Sequence, residues 1–219
     1  MLRIKGLASL SEPDRQALAD IGSLRHLDDR TVILLEGDQE RSVFMVLEGA
    51  VRVYRANLEG REQTVIYLRP GEALNLPAAF ASDRSAAASA QAVGNVTLLR
   101  LGLQELRQLV LQRPAIGLAL LGMIADRVRH LSLMVYDLGL LSVRARLARF
   151  LLSEHNARRD SPVRWTHAEI AAQVGTVRVV ISRTLSALAD EGLIRLDRQR
   201  IEILDPAALA EAAELDLPS

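Results

Sequence analysis

The 219-residue chain contains no cysteine. That absence excludes disulfides, cysteine-ligated iron–sulfur clusters and thiol redox sensing. No run of eighteen apolar residues occurs and the N-terminus carries no secretory pattern, so a cytoplasmic protein with no membrane partner is expected. The recurring signatures of enzymes are missing too: no GxSxG, no HExxH, no P-loop and no converging carboxylates beside a plausible base. Glu36, Asp38 and Glu40 lie close together, but in a strand-end turn whose ordinary reading is a solvated hairpin. An enzyme is therefore not expected, and no metal site is. Net charge is also absent, with 27 basic side chains against 27 acidic ones. The distribution is uneven, however. Residues 141 to 200 hold eleven arginines, no lysine and six acidic residues, an excess of five, and the remainder is acidic by the same amount. Such a split suits a neutral sensory half joined to a basic binding half.

What is present is most informative near the C-terminus, in "TVRVVISRTLSALADEG", residues 176 to 192. Its β-branched first half favours a strand on propensity, and its second half favours a helix. Periodicity decides. At about 100° per residue, Val177, Val180, Ile181, Thr184 and Leu188 fall on one side of a helix. Arg178, Val179, Ser182, Arg183 and Ser186 fall on the other. A strand would mix the two sets, so a helix with two arginines on its open face is expected, stopped by Gly192. Upstream, Thr166 and Glu169 form a capping-box pattern flanked by Trp165 and Ile170 as a hydrophobic staple. The run Ile170, Ala171, Val174 then meets Gly175, and Thr176 leads into the second helix. A short helix, a tight glycine turn and an amphipathic helix make a helix-turn-helix; the plain alternative is an αα-hairpin, which has no need of an arginine-bearing face.

"LIRLDRQRIEILDP" follows, with alternating side chains around a turn at Asp197 to Gln199, the pattern of a β-hairpin or wing. Arg198 and Arg200 at its tip either reach a phosphate backbone or stay solvated. "DPAALAEAAEL" closes the chain as a small helix on the wing.

The N-terminal half differs in texture. Residues 11 to 22 predict a capped helix from Ser11 to Gly22. From Thr31 to Leu101 short alternating runs are separated by Gly37, Gly49, Gly60 and Gly71, which predicts a compact β-sandwich or roll. Residues 104 to 112 are helical. After Pro114 a long helix runs to about Leu138, with Leu120, Ile124, Val128, Leu131, Val135 and Leu138 spaced 4, 4, 3, 4, 3. That is near a heptad seam, open to two readings: a two-fold coiled-coil dimer, or packing on the chain's own β-domain. Gly139 is expected to break this helix and 138 to 141 to form a hinge. The expected division is 1–112 for the β-roll sensor, 113–138 for the dimerisation helix and 139–219 for the winged helix-turn-helix, an α+β fold.

"VFMVLEGAVRVY" (43 to 54), "LRPGEAL" (68 to 74) and "WTHAEIAAQVGTVRVVISRTLSALADEGLI" (165 to 194), in that order, resemble the cyclic-AMP receptor protein/fumarate-nitrate regulator family of bacterial transcription factors. The resemblance runs from about residue 7 to 210 and implies a homodimer on a two-fold-symmetric DNA site that recruits or blocks RNA polymerase. It assigns base reading to Arg178 and Arg183. Arginine's fork fits guanine O6 and N7, each good contact giving ~1–3 kcal/mol of discrimination. Val179 stands where the family often has a cytosine-reading glutamate, and packs instead on a thymine methyl. Thr166, Thr176, Ser182, Ser186, Arg198 and Arg200 complete the expected DNA-facing set. The sensor pocket departs from the family. "GEALNLPAAF" has Asn75 and Leu76 where the ribose-holding Gly-Glu would stand, while "DRSAAA" keeps Arg84 and Ser85 of the phosphate-holding pair. With Glu72 nearby, these residues either hold an anion or form the surface of a non-binding roll. Cyclic AMP is disfavoured on this argument, and haem as well, since His26, His130, His155 and His167 offer no good axial ligand. A constitutive dimer without effector stays open, as does a small-molecule, anion or haem sensing module whose DNA domain serves mainly as a protein-docking surface.

Overall fold

The computed structural model describes residues 10–83, 85–157, 165–197 and 200–214. The chain divides into two compact units. The first comprises residues up to Ala56 and Thr64–Leu131; the second comprises Asn57–Gln63 and the chain from Ser132 onward.

The first unit opens with α1 (Glu12–Asp20), capped by the Ser11 side chain accepting from Asp14 N. Its strands are β1 (Gly22–Leu27), β2 (Val32–Leu34), β3 (Ser42–Ala56), β4 (Glu62–Leu68), β5 (Ala73–Leu74) and β6 (Ser89–Gly102). They form one six-stranded sheet ordered β1-β6-β3-β4, with β2 on β6 and β5 on β3. The long strands β3 and β6 pair antiparallel from Ser42↔Gly102 to Tyr54↔Ser89, with register shifts on either side of Glu48. Both faces of β3 are buried. Phe44 and Val46 point into a core made of strand and connecting residues, including Leu68, Leu98 and Ala90. Val43 and Met45 point the other way, into a core shared with the helices through Leu18, Leu106, Ile116 and Leu120. This two-sided use of a period-2 strand is a sheet rolled around one core with helices covering its outside. The glycines at 37, 49, 60 and 71 all have positive φ. Gly49 does not end a strand, as the spacing predicts, but sits in β3 at the bulge, where a Cβ would meet Asn95 O at 2.4 Å.

Two further differences have simple causes. Gly22 is not the end of α1 but the first residue of β1, and a Cβ there would fall 2.4 Å from Leu99 Cδ1, so it is a close-packing glycine. Strand β1 itself carries exposed residues on both faces, which erases the alternation that would reveal it.

α2 (Leu103–Gln112) leads into α3 (Pro114–Leu140). α3 passes through Gly139, which was expected to break it, and runs to Leu140. The stop is set by Ser142, whose hydroxyl accepts from Ala145 N at 3.1 Å and starts α4 (Val143–Ala157). The second unit continues with α5 (His167–Val174), α6 (Arg178–Asp190), β7 (Ile194–Asp197), β8 (Arg200–Ile203) and α7 (Pro206–Ala212). β7 and β8 form the expected hairpin, with Ile194↔Ile203 and Leu196↔Ile201 in register. α7 is capped by Asp205, accepting from Ala207 N and Ala208 N. It packs on α4 through Leu209 and Ala213 against Leu147 and Leu151, instead of resting on the wing.

Candidate functional site

The helix-turn-helix is built by local rules. Thr166 Oγ1 accepts from Glu169 N at 3.2 Å while Glu169 Oε2 accepts from Thr166 N at 2.7 Å, the reciprocal capping box. Trp165 meets Phe150 edge-on at 5.2 Å and donates its indole N–H to Glu154 at 2.9 Å. Gly175 adopts φ 76°, ψ 50°, and the N–H groups of Gly175 and Thr176 both return to Ala171 O at 2.9 Å, closing α5 in a tight left-handed turn. α6 then starts at Arg178 with Val177 as its N-cap. Valine supplies no side-chain acceptor; Val180 N donates to Val177 O at 3.0 Å, and the N–H groups of Arg178 and Val179 receive no side-chain cap. Sequence reasoning missed this; the signal was an apolar residue at a cap position.

α6 buries Ile181, Leu185 and Leu188 completely. The inner arc is therefore rotated by about 50°, half of one residue step, from the expected one. Val177 precedes the helix and is exposed, Val180 and Thr184 are only half-buried, and Leu185 takes the central place. Thr184 returns its hydroxyl to Val180 O at 2.8 Å. On the opposite side Arg178, Val179, Arg183 and Ser186 are exposed, Val179 by 69%. Ser182 is half-buried and lies 2.9 Å from His167 Nδ1, so its hydroxyl ties α6 to the first residue of α5. Thr176 is half-buried in the turn and Thr166 is exposed.

The local arginine excess resolves into two groups among the described residues. Arg144 grips Glu191 with a two-pronged ion pair; Arg195 pairs with Glu202 across the wing; Arg146 and Arg149 are bonded to backbone carbonyls, Arg149 also to Asp137. The Arg144 guanidinium holds the Glu191 carboxyl below the usual glutamate range through their hydrogen bond, and is itself pushed up by it. Among the described residues Arg178 and Arg183 have no hydrogen bond or ion pair. Arg198 lies outside the described residues, and of Arg200 only its place in β8 is described.

α3 shows two apolar faces, and the expected seam straddles them. Leu120 is 1% exposed in the core of the first unit and Ile124 packs against that core. Leu138 packs on Gly175, with Cδ2 only 2.5 Å from where a Cβ would stand. Leu120 and Ile124 thus face the core of the first unit, while Leu138 touches Gly175 and is still 38% exposed. The exposed stripe is Leu118, Leu121, Ala125, Val128, Ser132, Val135 and Gly139, in strict 3,4 alternation, with Val128 at 61% and Val135 at 70%. Leu131 lies between the two faces. Gly122 and Gly139 have open space where a Cβ would stand, so nothing within the chain requires glycine there.

Of the expected effector residues, Ser85, Leu76 and Glu72 are described. Arg84 lies outside the described residues. Ser85 donates its hydroxyl to Asp83 at 2.9 Å, and its N–H to the same carboxylate, which holds Asp83 below the usual range. Leu76 opens a short 3₁₀ helix (Leu76–Ala79) and is buried in the helix-facing core, so it is a packing residue and not a pocket wall. Glu72 accepts from Arg69 N at 2.7 Å. It also faces Arg127 of α3, a half-buried guanidinium whose pKa burial pushes down while Glu72 opposes the shift. His130 donates to Val65 O at 3.1 Å and His26 lies 3.2 Å from the Thr97 hydroxyl. Among the described residues no group of three or more His, Asp or Glu side chains suits a metal ion. No single helix among them is long and apolar enough to cross a membrane.

Comparison with known proteins accounts for both units. Residues 24–113 match the cyclic nucleotide-binding domain and residues 145–212 the Crp-like helix-turn-helix domain. The cyclic AMP receptor protein of Thermus thermophilus is 33% identical over 181 residues, 83% of each chain. A global nitrogen regulator of Synechocystis is 28% identical over 84% of this chain and 85% of its own. A solved transcriptional regulator of the CRP/FNR family from Thermus thermophilus superposes with a TM-score of 0.65 at 28% identity, covering 88% of this chain and 98% of that one. With its rolled sheet, long helix and arginine-faced helix-turn-helix, the chain belongs to the cyclic-AMP receptor protein/fumarate-nitrate regulator family of transcription regulators.

Proposed function

We propose that the protein is a homodimeric, sequence-specific DNA-binding regulator that acts on a two-fold-symmetric site in the cytoplasm and recruits or blocks RNA polymerase there. The observation that carries this reading is α6: three fully buried leucine and isoleucine side chains fix it to its domain, and two uncommitted arginines stand on its open face. Arg178 and Arg183 present their forks to guanine edges, and Val179 offers methyl groups to a thymine. The uncapped first turn of α6 and Thr166 at the start of α5 meet phosphates, which set the register but carry no sequence information. Ser182, committed to His167, braces the two helices and does not read a base. Ser186, Thr176 and the wing arginines flank the contact.

The exposed 3,4 stripe on α3 supports dimerisation, because an apolar seam of that spacing needs a partner helix. A two-fold pair then matches two half-sites one helical turn apart. The sensor is a divergent one. A Ser85 hydroxyl spent on Asp83, a buried Leu76 and a Glu72 shared between Arg69 N and Arg127 support a pocket that does not take cyclic AMP.

Selection from random duplexes tests the reading. A palindromic motif with guanines at two positions per half-site is expected, bound with a steep salt dependence. Val179→Glu is expected to shift selection toward C·G at the intervening pair, and adding cyclic AMP to leave affinity unchanged. Sequence-indifferent binding, or none, would overturn the assignment.

A further inference from the structure

Two arginines counted in the basic half do not face outward. Arg146 and Arg149 stand three residues apart on α4, hence on one side of it. Arg146 Nη1 donates to Leu141 O at 3.0 Å and Leu138 O at 3.3 Å, with Asp137 O at 3.5 Å, and its Nη2 reaches Gly175 O at 3.5 Å. Arg149 Nη1 donates to Asp137 Oδ1 at 2.9 Å, Nε to Ala213 O at 2.8 Å and Nη2 to Glu214 O at 2.9 Å. Each side chain thus joins the last turn of α3 to a different point of the winged helix. Arg146 joins it to the turn of the helix-turn-helix, and Arg149 to the end of α7.

The final carbonyls of a helix lack intrahelical donors, and a guanidinium supplies several in a fixed plane. One such bond is a pivot. Two, anchored on opposite ends of a domain, resist rotation about that pivot, and Leu138 packed on Gly175 blocks the space between them. The segment 138 to 141, which the sequence marks as a hinge, is therefore bridged by two guanidinium groups.

We propose that Arg146 and Arg149 are positioning residues that lock the reading helix to the end of α3, and so fix the distance between the two half-sites the dimer accepts. The consequence for DNA rests on the DNA-binding reading above; the lock itself does not. A swivelling domain would sample many separations and lose the effective concentration that rigid linkage gives the second contact.

The chain's lack of cysteine makes the test direct. Spin labels at Leu133→Cys on α3, which is 60% exposed, and Asp190→Cys on α6, diluted with unlabelled chain, are expected to give one narrow distance distribution. Arg146→Gln/Arg149→Gln should broaden it, and Asp137→Asn, which spares the carbonyl bonds, should broaden it less. On operators with half-sites moved apart one base pair at a time, the native dimer should prefer one spacing. The double variant should lose about a hundredfold in affinity at that spacing and flatten the preference, with single half-site binding unchanged. A distribution that stays narrow in the double variant overturns the proposal, as does an unchanged spacing preference. Should the double variant fail to fold, Asp137→Asn alone decides by the same two readouts. If the native protein binds no duplex, the DNA reading falls and the distance measurement still decides the lock.

Discussion

Replacing Arg183 by alanine separates a base contact from a phosphate contact and from a structural role. The side chain is exposed on α6 and has no hydrogen bond or ion pair among the described residues. Removing it should change unfolding free energy by no more than about 0.5 kcal/mol, as for a surface residue without partners. On the cognate duplex the loss is larger. Each bidentate arginine–guanine contact gives about 1–3 kcal/mol, and a two-fold dimer loses it twice, about 2–6 kcal/mol in all. At about 1.4 kcal/mol per decade this is roughly thirtyfold to ten-thousandfold in Kd. Fluorescence anisotropy at several salt concentrations, beside a thermal melt, measures all three quantities. A base-reading Arg183 leaves the salt slope nearly unchanged and relaxes selectivity at one pair, whereas a phosphate contact lowers the slope by about one per contact and weakens all sequences alike. Arg183→Lys keeps the charge but not the fork, so it should leave the slope unchanged and still relax the selectivity. A uniform loss with a reduced slope would mean that α6 lies in the groove in a different register. A lost melt would mean that Arg183 is structural. Either result refutes the reasoning.

Gly175 and Gly192 both have positive φ, but a Cβ at Gly175 meets Leu138 at 2.5 Å while one at Gly192 meets nothing within 4 Å. Urea unfolding should show Gly192→Ala costing about 1–2 kcal/mol, the left-handed backbone term alone, and Gly175→Ala costing more. Val135→Arg should give a folded monomer by sedimentation, whereas Leu120→Arg, placed in the core, should give little folded protein. The Glu191 carboxyl is held below its ordinary range by Arg144, so the pair's contribution to stability is present above that range. It is lost as pH falls through the lowered value. Glu191→Gln should therefore flatten the acid limb of a melting-temperature profile, and an unchanged limb would show the pair contributes nothing measurable.

The parts of the fold that were legible in sequence are those where one local rule acts alone. Thr166 and Glu169 announce a capping box because both partners lie within one turn, and the box forms. Gly37, Gly60 and Gly71 likewise separate strands as the texture predicts, and each takes a positive φ. β1 was not legible, because a strand exposed on both faces has no alternation to display. Gly22 was misread for a related reason. A glycine after a helix reads as its stop, and only the sheet partner Leu99 shows that close packing requires it. Gly139 repeats the error inside α3, where the exposed backbone tolerates it and Ser142 sets the boundary.

The site divides along the same line. Period alone placed Arg178, Val179, Arg183 and Ser186 on the open face of α6, since a helix that buries one side must expose the other. It could not say which of many arginines would be spent at home. Arg144, Arg146, Arg149 and Arg195 are the same residue type as Arg178 and Arg183, and only the fold shows their partners, Glu191, the α3 carbonyls, Asp137 and Glu202. The same limit explains α3. Its apolar residues make two stripes, and spacing cannot tell the one that closes the chain's own core at Leu120 from the one left open at Val128 and Val135. A charge count or a heptad thus bounds what a surface can do, and the partners a side chain already has decide what it does.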